Sequence, residues 1–263
     1  MLDIIGLCSG YPGKPVLQDC ALTAFPGQIT AILGPNGCGK STLLKSLCGI
    51  LKPSGGQILL DGQDLRGLVS GALARTMAYL PQSRQIPDIT VERLVLHGRF
   101  PYLRYPRKYG KKDHTAAEAA MEQMGILELA SEPLSRLSGG QRQKVYLAMT
   151  LAQDTPVLLL DEPTTYLDIS QQLQLLQLAK QLAAAGKYVL MVVHDLSHGL
   201  EQADRIVLLQ DGRTMIQGTP DAVFASGVLD LVFGVQVCRV ETASGWHYYC
   251  QPKSIKSSGS GEA

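Results

Sequence analysis

Three short strings carry side chains whose types and spacing could do chemistry. They are Gly34-Pro35-Asn36-Gly37-Cys38-Gly39-Lys40-Ser41-Thr42, Leu137-Ser138-Gly139-Gly140-Gln141 and Leu158-Leu159-Leu160-Asp161-Glu162-Pro163. The first fits G-x-x-x-x-G-K-[ST]: backbone N–H groups of such a loop cradle phosphates, the lysine reaches the terminal ones, and the hydroxyl holds magnesium. In the third, one carboxylate could orient a magnesium ion through its water shell, and the other could polarise a water for in-line attack on the terminal phosphorus. A lone Asp-Glu pair after an apolar strand is more often a solvated strand end; beside a phosphate loop that reading recedes. In the second, a serine hydroxyl and unprotected glycine amides open a helix, which makes a second anion-binding start; the competing reading, a capped helix with a glycine-rich first turn and no ligand, recedes before the five-residue match Leu-Ser-Gly-Gly-Gln. The chemistry indicated is magnesium-dependent hydrolysis of ATP.

These groups need elements to aim them. Ile29-Thr30-Ala31-Ile32-Leu33 reads as a buried strand feeding the phosphate loop, and Ser41 to Leu47 as a helix whose N-terminus presents its positive dipole end. Residues 3 to 33 read as short strands broken by turns, with Tyr11-Pro12-Gly13-Lys14 as a tight loop. Ile58-Leu59-Leu60 and Met77-Ala78-Tyr79-Leu80 are further strands, and from about residue 88 to 153 the pattern turns helical, with helices opening at Thr90, over 113 to 124, and after Gly139. Val157 to Leu160 is an apolar run too short for a helix and reads as a buried parallel strand. A helix bearing Ile169, Leu173, Leu176 and Ala179, a strand from Tyr188 to Val193, and a strand and turn from Ile206 to Gly212 follow. Alternating strands and helices predict an α/β fold with a mostly parallel sheet. Within it, 1–253 is expected to be one domain with an inserted helical subdomain, and Ser254 to Ala263, rich in Ser and Gly, to be disordered.

On this scaffold two more side chains come into question. Gln82 ends a strand at the entrance to the helical insertion, where its side-chain oxygen could meet magnesium and the attacking water; an ordinary loop glutamine reads the same way. His194 follows a strand at the sheet edge where ligands collect and could hydrogen-bond the terminal phosphate, or be a satisfied structural group. Cys38 lies inside the phosphate loop near Lys40 and a helix N-terminus, a field that predicts a lowered thiol pKa, alkylation that blocks ATP binding, and protection by Mg-ATP; an unreactive small residue filling a loop position reads the same way.

Composition narrows the setting. The formal charge of +1 argues against nucleic acid as the main ligand. Arg104-Tyr105-Pro106-Arg107-Lys108-Tyr109-Gly110-Lys111-Lys112 is the one basic cluster, read first as a solvated loop and second as an RNA or lipid-headgroup patch. No apolar run approaches the roughly 20 residues of a spanning helix, and no leader pattern opens the chain, so a cytoplasmic protein is expected. Six scattered cysteines and five dispersed histidines show no zinc spacing.

Taken together the motifs resemble those of the ATP-binding cassette ATPases, over about residues 2 to 250. In that resemblance Gly34 to Thr42 is the Walker A loop, Gln82 the Q-loop, Leu137 to Gln141 the family signature, and Val157 to Glu162 Walker B with its catalytic glutamate. Leu167-Asp168 is the D-loop, His194 the H-loop, and Tyr11 stands where the family places an aromatic ring on adenine. It implies a P-loop NTPase core with an antiparallel β region and a helical subdomain, with Mg2+ as cofactor. It further implies a head-to-tail homodimer in which ATP lies between one chain's Walker A and the other's Ser138, Gly139, Gly140, Gln141 and Asp168. Thr90 to Tyr102, Ala148 to Pro156, Glu162 to Ile169 with Tyr166, and residues 235 to 251 are similar to the branch importing iron siderophores, haem and cobalamin. That branch implies separate membrane permease subunits, a position on the cytoplasmic membrane face, and an extracytoplasmic binding protein acting indirectly. A soluble cassette ATPase in iron–sulfur cluster assembly or DNA repair is the alternative from a different class.

Overall fold

A computed structural model describes residues 1–82, 86–243 and 245–253; the stretch from Ser254 to Ala263 lies outside the described residues. The chain opens with β1 (Leu2–Tyr11) and β2 (Lys14–Ala24), which turn at Pro12-Gly13. They are two long strands where short broken ones were expected, because bulges between Ile4 and Gly10 absorb the irregular pattern without ending the pairing. With β4 (Gly55–Leu60) and β5 (Gln63–Asp64) they form an antiparallel sheet ordered β2-β1-β4-β5.

The second sheet contains β3 (Ile29–Leu33), β6 (Met77–Leu80), β7 (Val157–Asp161), β8 (Tyr188–Val192), β9 (Arg205–Gln210) and β10 (Arg213–Gly218). Its order is β10-β9-β3-β8-β7-β6, with every pairing parallel except that of β10 on β9. Every residue of β3, β7 and β8 is buried, which is why these strands read as continuous apolar runs and not as alternations. Successive side chains still go to opposite faces. Ile29, Ala31, Leu33, Leu158, Leu160, Val189 and Met191 join one core cluster, while Ile32, Val157, Leu159, Leu190 and Val192 join the other.

The first of these clusters takes in α3 (Val91–His97), α4 (Lys111–Gln123), α5 (Gly139–Ala152) and α6 (Ile169–Ala184). The helical stretch expected at 88–153 therefore packs its apolar faces against the same core as the sheet. Thr90 caps α3 by accepting from Arg93 N–H, as its sequence position predicts. Helix α4 starts two residues before the expected 113, because the Asp113 carboxylate accepts the Gly110 N–H at 2.9 Å and holds the first turn together. The second cluster lies between the two sheets and takes in α1 (Lys40–Leu47), with α2 (Ser70–Thr76) at its edge. Helix α7 (Leu196–Gln202) links β8 to β9, and after β10 come α8 (Pro220–Ala225), α9 (Val228–Phe233) and the hairpin of β11 (Val235–Thr242) and β12 (Gly245–Pro252).

Four neighbouring parallel strands, in the order β3-β8-β7-β6, thus deliver the phosphate loop, His194, Asp161-Glu162 and Gln82 to one edge of the sheet. The carboxyl edge of a parallel sheet is where an open α/β fold places its ligand. Among the described residues no helix is long and apolar enough to cross a membrane.

Candidate active site

The phosphate loop is shaped by its contacts with the rest of the sheet. Gly34 has φ +151, and a Cβ there would stand 2.2 Å from the Leu209 carbonyl oxygen on β9 and 2.7 Å from Cys38 Sγ, so only glycine lets the loop leave β3 this close to its neighbour. Cys38 N–H donates to the Pro35 carbonyl at 3.3 Å, and the Cys38 carbonyl accepts the Gly212 N–H at 3.1 Å. Lys40, only 8% exposed, donates from Nζ to the carbonyls of Gly34 at 2.6 Å and Pro35 at 3.0 Å. An ammonium has three N–H donors, so one is left for a further acceptor in the cleft.

Ser41, at the start of α1, donates from Oγ to Asp161 Oδ1 at 3.0 Å. Tyr79 on β6 donates its hydroxyl to the other oxygen, Oδ2, also at 3.0 Å. Asp161 is the last residue of β7 and not the residue after it, and it is 1% exposed. Burial pushes its carboxyl above the usual range against the pull of the Ser41 and Tyr79 hydrogen bonds, and burial beside that carboxyl likewise raises the Tyr79 phenol. A buried carboxylate that accepts from two hydroxyls suits a hard divalent cation, whose charge favours the ionised form.

Glu162 sits at φ 49, the left-handed region that costs a residue with a Cβ about 1 kcal/mol or more. Its N–H donates to the Val192 carbonyl at the end of β8 (3.2 Å), which fixes the turn. Gln82 Nε2 donates to Glu162 Oε2 at 2.7 Å. With its amide N–H turned to the glutamate, Gln82 has its carbonyl oxygen left for a cation or water, which fits the donor set predicted for magnesium. His194 is exposed and its ring makes no hydrogen bond among the described residues, so a ring nitrogen is available to a phosphate.

Tyr11, Lys14, Val16, Asn36, Gly37, Gly39, Lys40, Ser41, Thr42, Gln82, Glu162 and His194 line one cleft of about 580 Å³. The fold thus gathers the predicted phosphate, carboxylate, glutamine, histidine and aromatic positions in one place. Lys14 and Val16 are additions that sequence reading missed; their only signal was proximity to Tyr11 across a tight turn. Tyr79 was missed too, since a strand tyrosine announces no partner.

Ser138, Gly139, Gly140, Gln141 and Asp168 do not line this cleft. Ser138 caps α5 in a reciprocal box, its Oγ accepting the Gln141 N–H at 3.2 Å and its own N–H donating to Gln141 Oε1 at 2.9 Å. Asp168 caps α6 by accepting the Gln171 N–H at 2.8 Å. Buried Gln143, one helical turn into α5, donates to the Pro163 carbonyl at 2.6 Å, tying this helix to the Glu162 turn.

Cys38 corrects an expectation. Its thiol is 5% exposed, and burial raises its pKa although Lys40 pulls the other way. The desolvation cost of a thiolate exceeds what the neighbouring ammonium returns, which reverses the direction of the expected shift. Maleimide labelling at neutral pH should therefore be slower at Cys38 than at exposed Cys250, by mass spectrometry of timed samples. Faster labelling at Cys38 would show that the loop's field outweighs burial.

A sequence model of the ABC transporter family matches residues 17–165. The chain belongs to the ABC transporter family. Among its relatives, the petrobactin import ATP-binding protein FpuD of Bacillus anthracis is 42% identical over 243 residues, 92% of this chain and 89% of the relative. The hemin import ATP-binding protein HmuV of Pseudomonas entomophila is 42% identical over 90% of this chain and 94% of its own length. A solved inward-facing structure, provisionally assigned to a metal-chelate type ABC transporter, superposes with a TM-score of 0.81 at 27% identity, covering 97% of this chain and 98% of that one. The fold is that of an ABC-type P-loop NTPase, and the chain is an ATPase.

Proposed function

We propose that this ABC ATPase energises import of an iron chelate, a ferric siderophore or haem, through a separate membrane permease. The observation that carries the reading is the 42% identity to chelate-import ATP-binding subunits over at least nine-tenths of the chain, and the cleft supplies groups suited to each step of ATP hydrolysis. In this reading Tyr11 stacks on adenine, and the loop Gly34, Pro35, Asn36, Gly37, Cys38, Gly39, Lys40, Ser41 and Thr42 cradles the phosphates. Lys40 neutralises phosphate charge with its remaining N–H. Ser41 and Gln82 would hold Mg2+, with Asp161 orienting it through water; bound there, the ion would offset charge on the phosphate oxygens. Glu162 accepts a proton from the attacking water, and His194 steadies the γ-phosphate.

The capped start of α5 supports a second role for the same chain. Ser138, Gly139, Gly140 and Gln141, with Asp168, stand outside their own cleft and are suited to close over ATP held by another copy, so ATP acts as an interfacial ligand of a homodimer. Closure on ATP and release after hydrolysis would work permease subunits at the cytoplasmic membrane face, with an extracytoplasmic binding protein on the far side. Residues 1–253 act as one unit, the helical subdomain at 88–153 carrying the trans-acting signature.

The test is co-purification from detergent-solubilised membranes together with uptake of radiolabelled ferric siderophore and haem in a strain lacking this chain. A polytopic membrane partner and loss of uptake of one chelate are the expected results. Recovery without any membrane protein, and unchanged uptake of both chelates, would overturn the transport reading and favour the soluble alternative.

A further inference from the structure

The nine residues from Arg104 to Lys112 hold five of the chain's 24 Lys and Arg and no Asp or Glu, leaving 19 cations against 23 acids elsewhere. They lead into α4 on the helical insertion. All five cations, Arg104, Arg107, Lys108, Lys111 and Lys112, are exposed, and none has an ion-pair partner among the described residues. The nearest acid in sequence, Asp113, is already committed: it accepts from Arg99 Nε at 3.3 Å and from the Gly110 N–H at 2.9 Å. Its carboxylate is also mostly covered, at 15% side-chain exposure.

Aromatic rings stand among these cations. Tyr105 is 97% exposed and Phe100 is 48% exposed, with the Arg107 guanidinium 4.9 Å from the Phe100 ring centroid. A tyrosine that packs against nothing, flanked by unpaired cations, is complementary to a lipid interface. Its amphipathic ring suits the headgroup level, and each nearby Lys or Arg is drawn to anionic headgroups. A nucleic acid would need cations continued along a groove, and outside this segment acids are in excess.

We propose that the 104–112 segment rests on anionic phospholipid headgroups and holds the helical insertion against the membrane. This rests on the transport reading, which places the chain at a membrane face. Vesicle sedimentation tests it with the full chain, using phosphatidylcholine vesicles with and without phosphatidylglycerol. The chain should pellet only with the anionic vesicles and be released by salt. Each cation contributes about a five-fold gain in partition near such a surface. Lys111→Gln with Lys112→Gln should thus lower partition at least ten-fold, and Arg104→Gln, Arg107→Gln and Lys108→Gln added to them should abolish it. All five side chains are exposed, so ATP binding and Tm should stay those of the wild type, which separates lost affinity from misfolding. Failure of the wild type to pellet, equal pelleting with neutral vesicles, unchanged partition of the five-site variant, or displacement from anionic vesicles by an RNA oligomer at lower phosphate concentration would each overturn the proposal. The assay needs neither permease nor chelate, so its failure leaves the transport reading standing, whereas lost permease association with intact vesicle binding would remove that reading alone.

Discussion

Glu162→Gln should abolish phosphate release while leaving ATP bound, with turnover falling by about 10²- to 10⁴-fold, the range a positioned general base supplies. The change is isosteric, and the features that place the side chain lie mostly in the backbone: φ 49 at residue 162 and its N–H to the Val192 carbonyl. Gln82 donates to the residue-162 side chain at 2.7 Å, and an amide oxygen can still accept that bond. What the amide cannot do is take a proton from water. Phosphate release together with light scattering in Mg-ATP checks this. The expected result is a variant that dimerises on ATP and stays dimeric, since hydrolysis no longer releases the interface. Turnover at the wild-type rate would remove Glu162 as the base. Lost turnover in a monomer that still binds ATP would mean that closure of the two copies requires the permease.

Gly212→Ala should be the most damaging small substitution outside the motifs. At φ +75 its new Cβ would stand 1.9 Å from the Val16 carbonyl oxygen and 2.9 Å from that carbonyl's carbon. Both are backbone atoms of β2, so no side chain can swing away. The glycine also donates to the Cys38 carbonyl at 3.1 Å and accepts the Gln18 N–H at 2.9 Å, so the turn after β9 braces the phosphate loop against β2. Left-handed strain plus the backbone collision should cost about 3 kcal/mol or more, lowering Tm by roughly 6–12 °C for a chain of this size. ATP affinity should fall with it, because the loop loses its brace and Val16 lines the cleft. Gly62 is the control: it sits at φ +83 in the turn between β4 and β5 with nothing within 4 Å of a built Cβ. Gly62→Ala should cost only about 1 kcal/mol of backbone strain and leave ATP binding unchanged. Calorimetry and nucleotide titration of both variants decide the matter; equal effects at the two sites would mean that Gly212 does not brace the loop.

The sequence alone determined the functional positions of this protein to the extent that they follow local rules. A glycine loop between an apolar strand and a helix has one main use, and a carboxylate pair after a fully buried strand can be read beside it. Helix starts at Thr90 and Ser138 were legible because capping is a short-range hydrogen bond, and the structure has each of them accepting from the N–H three residues on. Tertiary structure decided what depends on distant chain segments. Strand order β3-β8-β7-β6 is not encoded in any one segment, yet it is what brings residues 40, 82, 162 and 194 to one cleft. Tyr79 became a partner of Asp161 only when β6 paired with β7. The shift expected at Cys38 is reversed because burial, which no local field reports, outweighs the ammonium next to it. Asp61-Gly62 and Asp211-Gly212 show the limit most plainly: they are the same dipeptide, both aspartates at φ 49 and both glycines left-handed. Sequence reads them alike as turns, and only the approach of β2 makes the second one indispensable, because backbone atoms from residue 16 occupy the space a side chain would need.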